Sequence, residues 1–581
     1  MHHWTRRSIL KAAGSGAVTG AGALTAPAAT AAGTVNSPAE GSLEDPSDEL
    51  TLFHNGSVLT MDRACPQASA VLVSGNKIRA VGGTELKTRV GRVARVIDLQ
   101  GRMVLPGIND SHFHFAQYAL TRPPLTVDLS GVTSIVELQA RLQQAVTARD
   151  GQPAEQKSWI KCFGLDVLLL SAAERQSLNR RDLDAVSARH PVSLREASSH
   201  ITYINSRALS LAGITGGEDP GVVVDAAGEP TGVLNEAAQN LINSVEPPYT
   251  AADHYDALPR AFRALHELGL TSYTEPVLGP GMGSGTGLGP DTLRIYEELA
   301  RSGQLPMRVD VQLAPVAQSG GRAEDFRRYL DEVWKPLQGI DARWLRVGAV
   351  KAFADGLDDP LNTGGDTAEE RRQELIDIVR VVHERGFQLG IHVIGPQDTG
   401  IAVDAVSAAQ RAVPRADPRH WLIHGYWIDQ AALRRASRAG LGLNMQSSFF
   451  VRGELPTLPG RTLLPYRWAL NAGVTTMTSS DAPVAAPDWR EHLALVVSRR
   501  NLDGHQSAPE QQISLLDALH TYTSAPAWQN RAESWKGTIT PGKAADLCVL
   551  DRNILTVDAE RLPEINVNAT MLDGRFVYEA F

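Results

Sequence analysis

Between Pro106 and about Ser534, short apolar runs alternate with amphipathic segments, and this alternation constrains the chain more than any other feature. The candidate strands are Ile160-Cys162, Val192-Leu194, Ser272-Thr274, Val309-Gln312, Leu345-Phe353, Gln388-Val393, Trp421-His424, Gly442-Met445 and Thr475-Ser479. Candidate helices run from Ala251 to Leu268, Pro290 to Ser302, Glu369 to Arg385 and Gln430 to Ala439. Strands that alternate with helices pair in parallel, with the helices outside. About eight such units over ~430 residues predict a (β/α)8 TIM barrel with insertions. A doubly wound sheet is the alternative, but no G-x-G-x-x-G follows any strand. The Gly-rich stretch Gly279 to Gly289 has the wrong spacing for that fingerprint and reads as a βα loop.

Both flanks are β-rich. Leu50-His54, Ala70-Val73, Ile78-Val81 and Arg95-Leu99 are separated by the turn pairs Asn55-Gly56, Gly75-Asn76, Gly82-Gly83 and Gln100-Gly101. Near the other end, Asp546-Leu550 and Gly574-Tyr578 are strands, with Pro541-Gly542 and Asp573-Gly574 as turns. Two such ends around one middle predict a single small β-sandwich built from both. The α/β chain then divides into a barrel over 106–534 and a sandwich over 49–105 plus 535–581.

Ahead of these lies an address. Thr5-Arg6-Arg7-Ser8-Ile9-Leu10-Lys11 has the form of a twin-arginine export signal. A weakly apolar core (Ala12 to Leu24) and a small-x-small cleavage site (Ala29-Thr30-Ala31) follow it. The signal covers 1–31, and a Ser/Pro/Glu-rich linker covers 32–48. The apolar core falls far short of the ~20 residues a membrane span needs. The expectation is a mature chain with no membrane span, exported by the twin-arginine machinery to the periplasm or the exterior.

Net charge is −9 and the sequence pI is about 6.0, which argues against a nucleic-acid partner. The three cysteines lie far apart with no CxxC, so they offer neither a disulfide framework nor a thiolate zinc site. Only nine lysines stand against 47 arginines, so a lysine inside an apolar run draws notice.

Five segments carry chemistry. Leu105-Pro106-Gly107-Ile108-Asn109-Asp110-Ser111-His112-Phe113-His114 spaces two imidazoles two residues apart. On a strand they share a face and can meet one metal ion. Lys351 sits within Val347-Phe353, where burial disfavours its ammonium. A neutral amine there can take up CO2 as a metal-bridging carbamate; on spacing alone, a structural pair with Asp355 is the stronger reading. His392 and His424 each end an apolar strand. Asp481 follows another strand and precedes a turn, where it could equally be an Asx-turn or cap residue. In chain order these are H-x-H, Lys, His, His and Asp. Barrel strand ends converge on one rim. Imidazole, carboxylate and carbamate donors without cysteine suit a catalytic Zn²⁺ or a related divalent ion.

These residues resemble the amidohydrolase superfamily, and within it amidohydrolase family 3, which includes N-substituted formamide deformylases. The resemblance runs from about Leu50 to Tyr578. It takes in Ser199-His200, Asn205-Leu209, Pro230-Leu234 with Glu236, Tyr522-Ser524, Lys536-Gly537-Thr538-Ile539 and Gly542-Leu547. It implies a hydrolase that cleaves a non-peptide C–N bond of a small molecule (amide, formamide or imide) with a metal-activated water. It further implies that His112, His114 and Asp481 hold one metal and that His392 and His424 hold a second. Lys351 as a carbamate would bridge the two, Asp481 would serve as general base, and His200 would face the substrate. The chain departs from the family where Pro396 replaces the Asp of H-x-I-G-D and where Ile423 replaces a Glu. Glu275 stands where the family carries an Asp after the third barrel strand.

Three rivals remain. A serine hydrolase lacks its G-x-S-x-G elbow. A lactonase or esterase could use the same ligands. An exported, non-catalytic metal-binding protein is disfavoured by the complete ligand set.

Overall fold

The computed structural model describes residues 49–89, 95–150, 159–217, 219–282, 287–317, 320–355, 361, 363–453 and 455–581. The predicted export signal and linker lie outside the described residues, as do positions 283–286 of the Gly-rich loop.

Eight parallel strands form one continuous ladder. In order they are Ile108–Asp110, Leu270–Leu278, Arg308–Leu313, Leu345–Phe353, Gln388–Val393, Trp421–His424, Gly442–Met445 and Thr476–Thr478. The first and last meet through their loops: Asp481 N–H donates to the His112 carbonyl and His114 N–H to the Ala482 carbonyl, both at 2.9 Å. This is the (β/α)8 barrel. Its helices start where the sequence provides caps. Thr250 with Asp253 boxes the helix Ala251–Glu267, Thr367 with Glu370 boxes Ala368–Glu384, and Asp429 caps Gln430–Arg438.

One layer deeper than the strand ends, Ala349, Trp421, Ile423 and Met477 fill the barrel interior. Gly390 leaves room for this layer, since a Cβ there would come within 3.0 Å of the Trp421 ring. Trp421 and Trp427 are both core residues.

Two of the sequence's candidate barrel strands belong elsewhere. Ile160–Leu165 and Val192–Glu196 pair with each other in a second, six-stranded sheet inserted between the first and second barrel strands. That sheet also holds Val127–Asp128, Ile201–Ile204, Pro230–Asn235 and Val222–Val224, and it has its own apolar core. A short apolar run shows that a strand is buried; it does not say which strand it pairs with.

The two chain ends do share one sandwich. Leu547–Leu550 runs antiparallel to Met103–Pro106, with Val549 opposite Val104. Phe53, Val71, Val73 and Ile97 from one end pack against Leu547, Val549, Ala569 and Met571 from the other. At roughly 1.5–3 kcal/mol per fully buried side chain, this core is enough to hold the termini together. The Asp573-Gly574 turn has positive φ at both residues (51° and 79°), as a two-residue hairpin requires. A Cβ on Gly574 would collide with the Gly75 carbonyl of the facing turn. Barrel and sandwich are joined by buried Arg308, at the start of the third barrel strand. Its Nε and Nη2 donate to Asp546 at 2.7 and 3.0 Å, and Nη2 reaches Asp573 at 2.8 Å.

Candidate metal centre

The strand ends bring six of the predicted residues to one rim. His112 and His114 follow the first barrel strand; Lys351, His392 and His424 lie at the ends of the fourth, fifth and sixth; Asp481 follows the eighth. Lys351 and His392 point inward by simple alternation. Ala349 and Lys351 share one face of their strand, as do Gly390 and His392 of theirs. His424 does not fit that rule, because Trp421 and Ile423 already point inward. Its left-handed φ of 73° breaks the alternation and turns its ring into the mouth. Asp481 is turned in the same way, with φ 57°. Such conformations cost non-glycine residues energy and gather at functional sites.

The Asp481 carboxylate stands between two imidazoles. Oδ1 is 3.1 Å from His112 Nε2 and 3.0 Å from His114 Nε2, yet it accepts a well-formed hydrogen bond from neither. These three residues can hold a metal ion, with ligand atoms all within 4.8 Å of one another. Beside them, His392 Nδ1 and His424 Nε2 approach at 3.0 Å. The far nitrogen of His424 bonds to the Tyr426 hydroxyl at 2.9 Å, which aims Nε2 at its neighbour. The rings of His112 and His424 lie 6.0 Å apart, so the two groups are contiguous.

Burial pushes the His112 imidazole down to about 4 and holds those of His392 and His424 well below the usual range. Neighbouring imidazoles and Lys351 push the same way. Burial also works to raise the Asp481 carboxyl, but His112 and His114 outweigh it and hold the group well below the ordinary carboxylate range. Neutral imidazoles around a carboxylate that stays ionised are a cation-binding set. The unpaired Oδ1 and the two facing ring nitrogens both fit one.

Lys351 is 2 % exposed, and burial brings its ammonium down to about 7, against the pull of Asp481. Its Nζ lies 4.9 Å from the centre of the Phe353 ring. It does not pair with Asp355. That carboxylate instead accepts from Ile394 N–H at 2.8 Å and Gly395 N–H at 2.7 Å, clamping the loop after His392. His200 reaches the rim from the inserted sheet, with its ring 6.5 Å from that of His392.

Two supporting residues escaped the sequence reading. Asp110 is buried, accepts from the backbone N–H of His112 and Ser480 at 3.2 Å, and is pushed up to about 7 by burial. Its place two residues before His112, at the end of the first barrel strand, was the available signal. Tyr426, two residues after His424, was legible only as an aromatic. Glu275 is on the second barrel strand, not after the third. It accepts from Ala116 N–H at 3.0 Å and Tyr296 Oη at 2.8 Å, and burial pushes it up to about 8. Phe449 stacks 6.2 Å from His424 and Phe450 packs on Tyr426, forming one apolar side of the mouth.

Residues 95–578 match the amidohydrolase family. The chain belongs to that family. Among its relatives, the N-substituted formamide deformylase of Arthrobacter pascens is 29 % identical over 566 residues, covering 90 % of this chain and 97 % of the relative. Protein LONG AFTER FAR-RED 3 of Arabidopsis thaliana is 26 % identical over 559 residues, covering 91 % of each. A crystal structure of an uncharacterized metal-dependent hydrolase from Pyrococcus horikoshii OT3 superposes with a TM-score of 0.66 at 23 % identity, covering 88 % of this chain and 99 % of that one. Amidohydrolase membership thus extends over the barrel, the inserted sheet and about half of the sandwich.

Proposed function

We propose that this amidohydrolase cleaves a non-peptide C–N bond of a small molecule, an amide, formamide or imide, and that it does so as an exported protein. The observation that carries the reading is the convergence of four histidines, Lys351 and Asp481 at one barrel rim. His112, His114 and Asp481 would hold one divalent ion and His392 with His424 a second, with Lys351 as a carbamate between them. Nitrogen and oxygen donors without thiolate suit Zn²⁺. A divalent ion bound there supplies Lewis acidity, which makes water a competent nucleophile near neutral pH.

The residues do the rest. Asp481, kept ionised, takes the proton of the attacking water and passes it to the leaving nitrogen. Tyr426 fixes the ring of His424. Asp355 holds the loop that carries His392. Phe449 and Phe450 give the mouth an apolar side that suits an N-substituent, and the likeness to a formamide deformylase points to the same bond.

The test is metal content per chain and turnover on a panel of amides, formamides, esters and lactones. Asp481→Asn should keep much of the metal and lose activity by about 10³-fold. Near wild-type kcat in that variant removes the base assignment. Turnover of esters alone supports the lactonase or esterase reading, and retained metal with no turnover supports a binding protein. For export, Arg6→Lys with Arg7→Lys should leave the precursor in the cytoplasm.

A further inference from the structure

Strands Ile201–Ile204 and Pro230–Asn235 of the inserted sheet are antiparallel, with Ile201 opposite Asn235. The residues just beyond that pair are His200 and Glu236. Glu236 N–H donates to the His200 carbonyl at 2.9 Å. Both Glu236 carboxylate oxygens lie 3.0 Å from His200 Nδ1. Glu236 has φ 47° and Ser199 φ 63°, conformations kept only where the surroundings impose them. Here they are imposed by Gln239, whose Nε2 donates to the Ser199 carbonyl at 3.1 Å and the Glu236 carbonyl at 3.2 Å. Gln117, in the helix that directly follows His114, adds a bond from Nε2 to Ser199 Oγ at 3.3 Å. The pair is thus tied to the barrel rim, and both side chains keep some exposure, 13 % for His200 and 30 % for Glu236.

A carboxylate on Nδ1 draws the ring proton to that nitrogen. Nε2 is then left as a bare acceptor, and it has no hydrogen-bond partner among the described residues. We infer that Glu236 and His200 form a substrate-selecting dyad. Glu236 is a positioning residue that sets the tautomer, and His200 Nε2 accepts the N–H of a secondary amide or formamide. The inference rests on the C–N reading above. It adds which C–N substrates are favoured, because an ester or a tertiary amide has no N–H to offer.

The test compares kcat/KM for N-benzylformamide and N-benzyl-N-methylformamide on the metal-loaded enzyme. Wild type should prefer the former by about tenfold or more, the loss expected for one missing hydrogen bond. Glu236→Leu leaves Nδ1 without its acceptor and frees the ring proton to move to Nε2, so the preference should fall towards one. Glu236→Asp should keep part of it. A purely steric rejection of the N-methyl group would survive Glu236→Leu. An unchanged ratio in that variant, with metal content and melting temperature as in wild type, overturns the dyad and leaves the C–N reading standing. Nitrogen-15 spectra of histidine-labelled protein, with His200 assigned through His200→Gln, should show Nδ1 protonated in wild type and Nε2 protonated in Glu236→Leu. Nε2 protonated in wild type overturns the inference whichever substrates are turned over. Wild type that hydrolyses esters and neither formamide removes the C–N reading, and this inference with it.

Discussion

Among the described residues two lysines are buried against this barrel, one at the mouth and one at the floor, and burial brings both down to about 7. Lys536, at the floor, is satisfied. Its Nζ donates to Ser272 Oγ at 3.1 Å and Asn530 Oδ1 at 3.3 Å, with Asp310 and Asp546 within electrostatic reach. Lys351, at the mouth, makes no hydrogen bond to any described residue and is surrounded by the histidines and Asp481. A depressed amine is therefore not by itself a sign of chemistry. What separates the two is whether the protein has given the nitrogen a partner. A satisfied ammonium belongs to the architecture, and an unsatisfied one beside metal-ligand side chains is held for something else.

The largest effect that could break this contrast is on activity. Lys351→Met should lose metal and about 10³-fold in kcat/KM. Lys536→Met should keep its activity per bound metal. The stabilities should move in opposite directions. With metal stripped, Lys351→Met should melt no lower than wild type, because it removes a buried charge without a hydrogen bond. Lys536→Met should lose about 1–3 kcal/mol, the cost of leaving buried Ser272 Oγ without its donor, while Asn530 Oδ1 keeps the bond from Asn109 Nδ2. Equal behaviour of the two variants in both measurements would end the distinction.

The next effect falls on the floor. Arg308→Leu leaves Asp546 buried without its bidentate partner and should cost about 3–5 kcal/mol, read as a lower denaturant midpoint. A smaller one falls on the mouth. Tyr426→Phe frees the His424 ring and should weaken metal binding by about 10–100-fold with the fold intact, as titration with a chelator would show.

The smallest concerns pH. Glu275 keeps its proton in the folded chain up to about 8, whereas the ordinary value is 4.5. Between these values the folded state binds more protons, so this contribution to stability is full below 4.5 and is lost as pH rises through about 8. Glu275→Gln should therefore melt above wild type at pH 8.5, with the gap closing at pH 5. A gap that does not change with pH would mean the carboxyl is ionised in the folded state.

Local patterns in the sequence by themselves determined the barrel and the shared sandwich. Lys351 and Asp481 are rim candidates only through the family resemblance, since spacing alone reads them as half of a structural pair and as a turn or cap residue. Alternating strands and helices impose a parallel sheet, and turn pairs such as Asp573-Gly574 impose hairpins; the H-x-H spacing marks two imidazoles of one site, although both follow the strand that ends at Asp110 instead of sharing its face. What only the tertiary structure decided are matters of partner and direction. Ile160 and Val192 look like barrel residues until their pairing places them in an inserted sheet, since apolar runs carry no label for their neighbours. His424 and Asp481 face the mouth because of left-handed backbone that no side-chain pattern announces. His200 meets Glu236 across 36 residues because two strands end at the same level. Lys351 is set apart from Lys536 only by who stands within hydrogen-bond reach, a property of three-dimensional neighbours on which both sequence segments are silent.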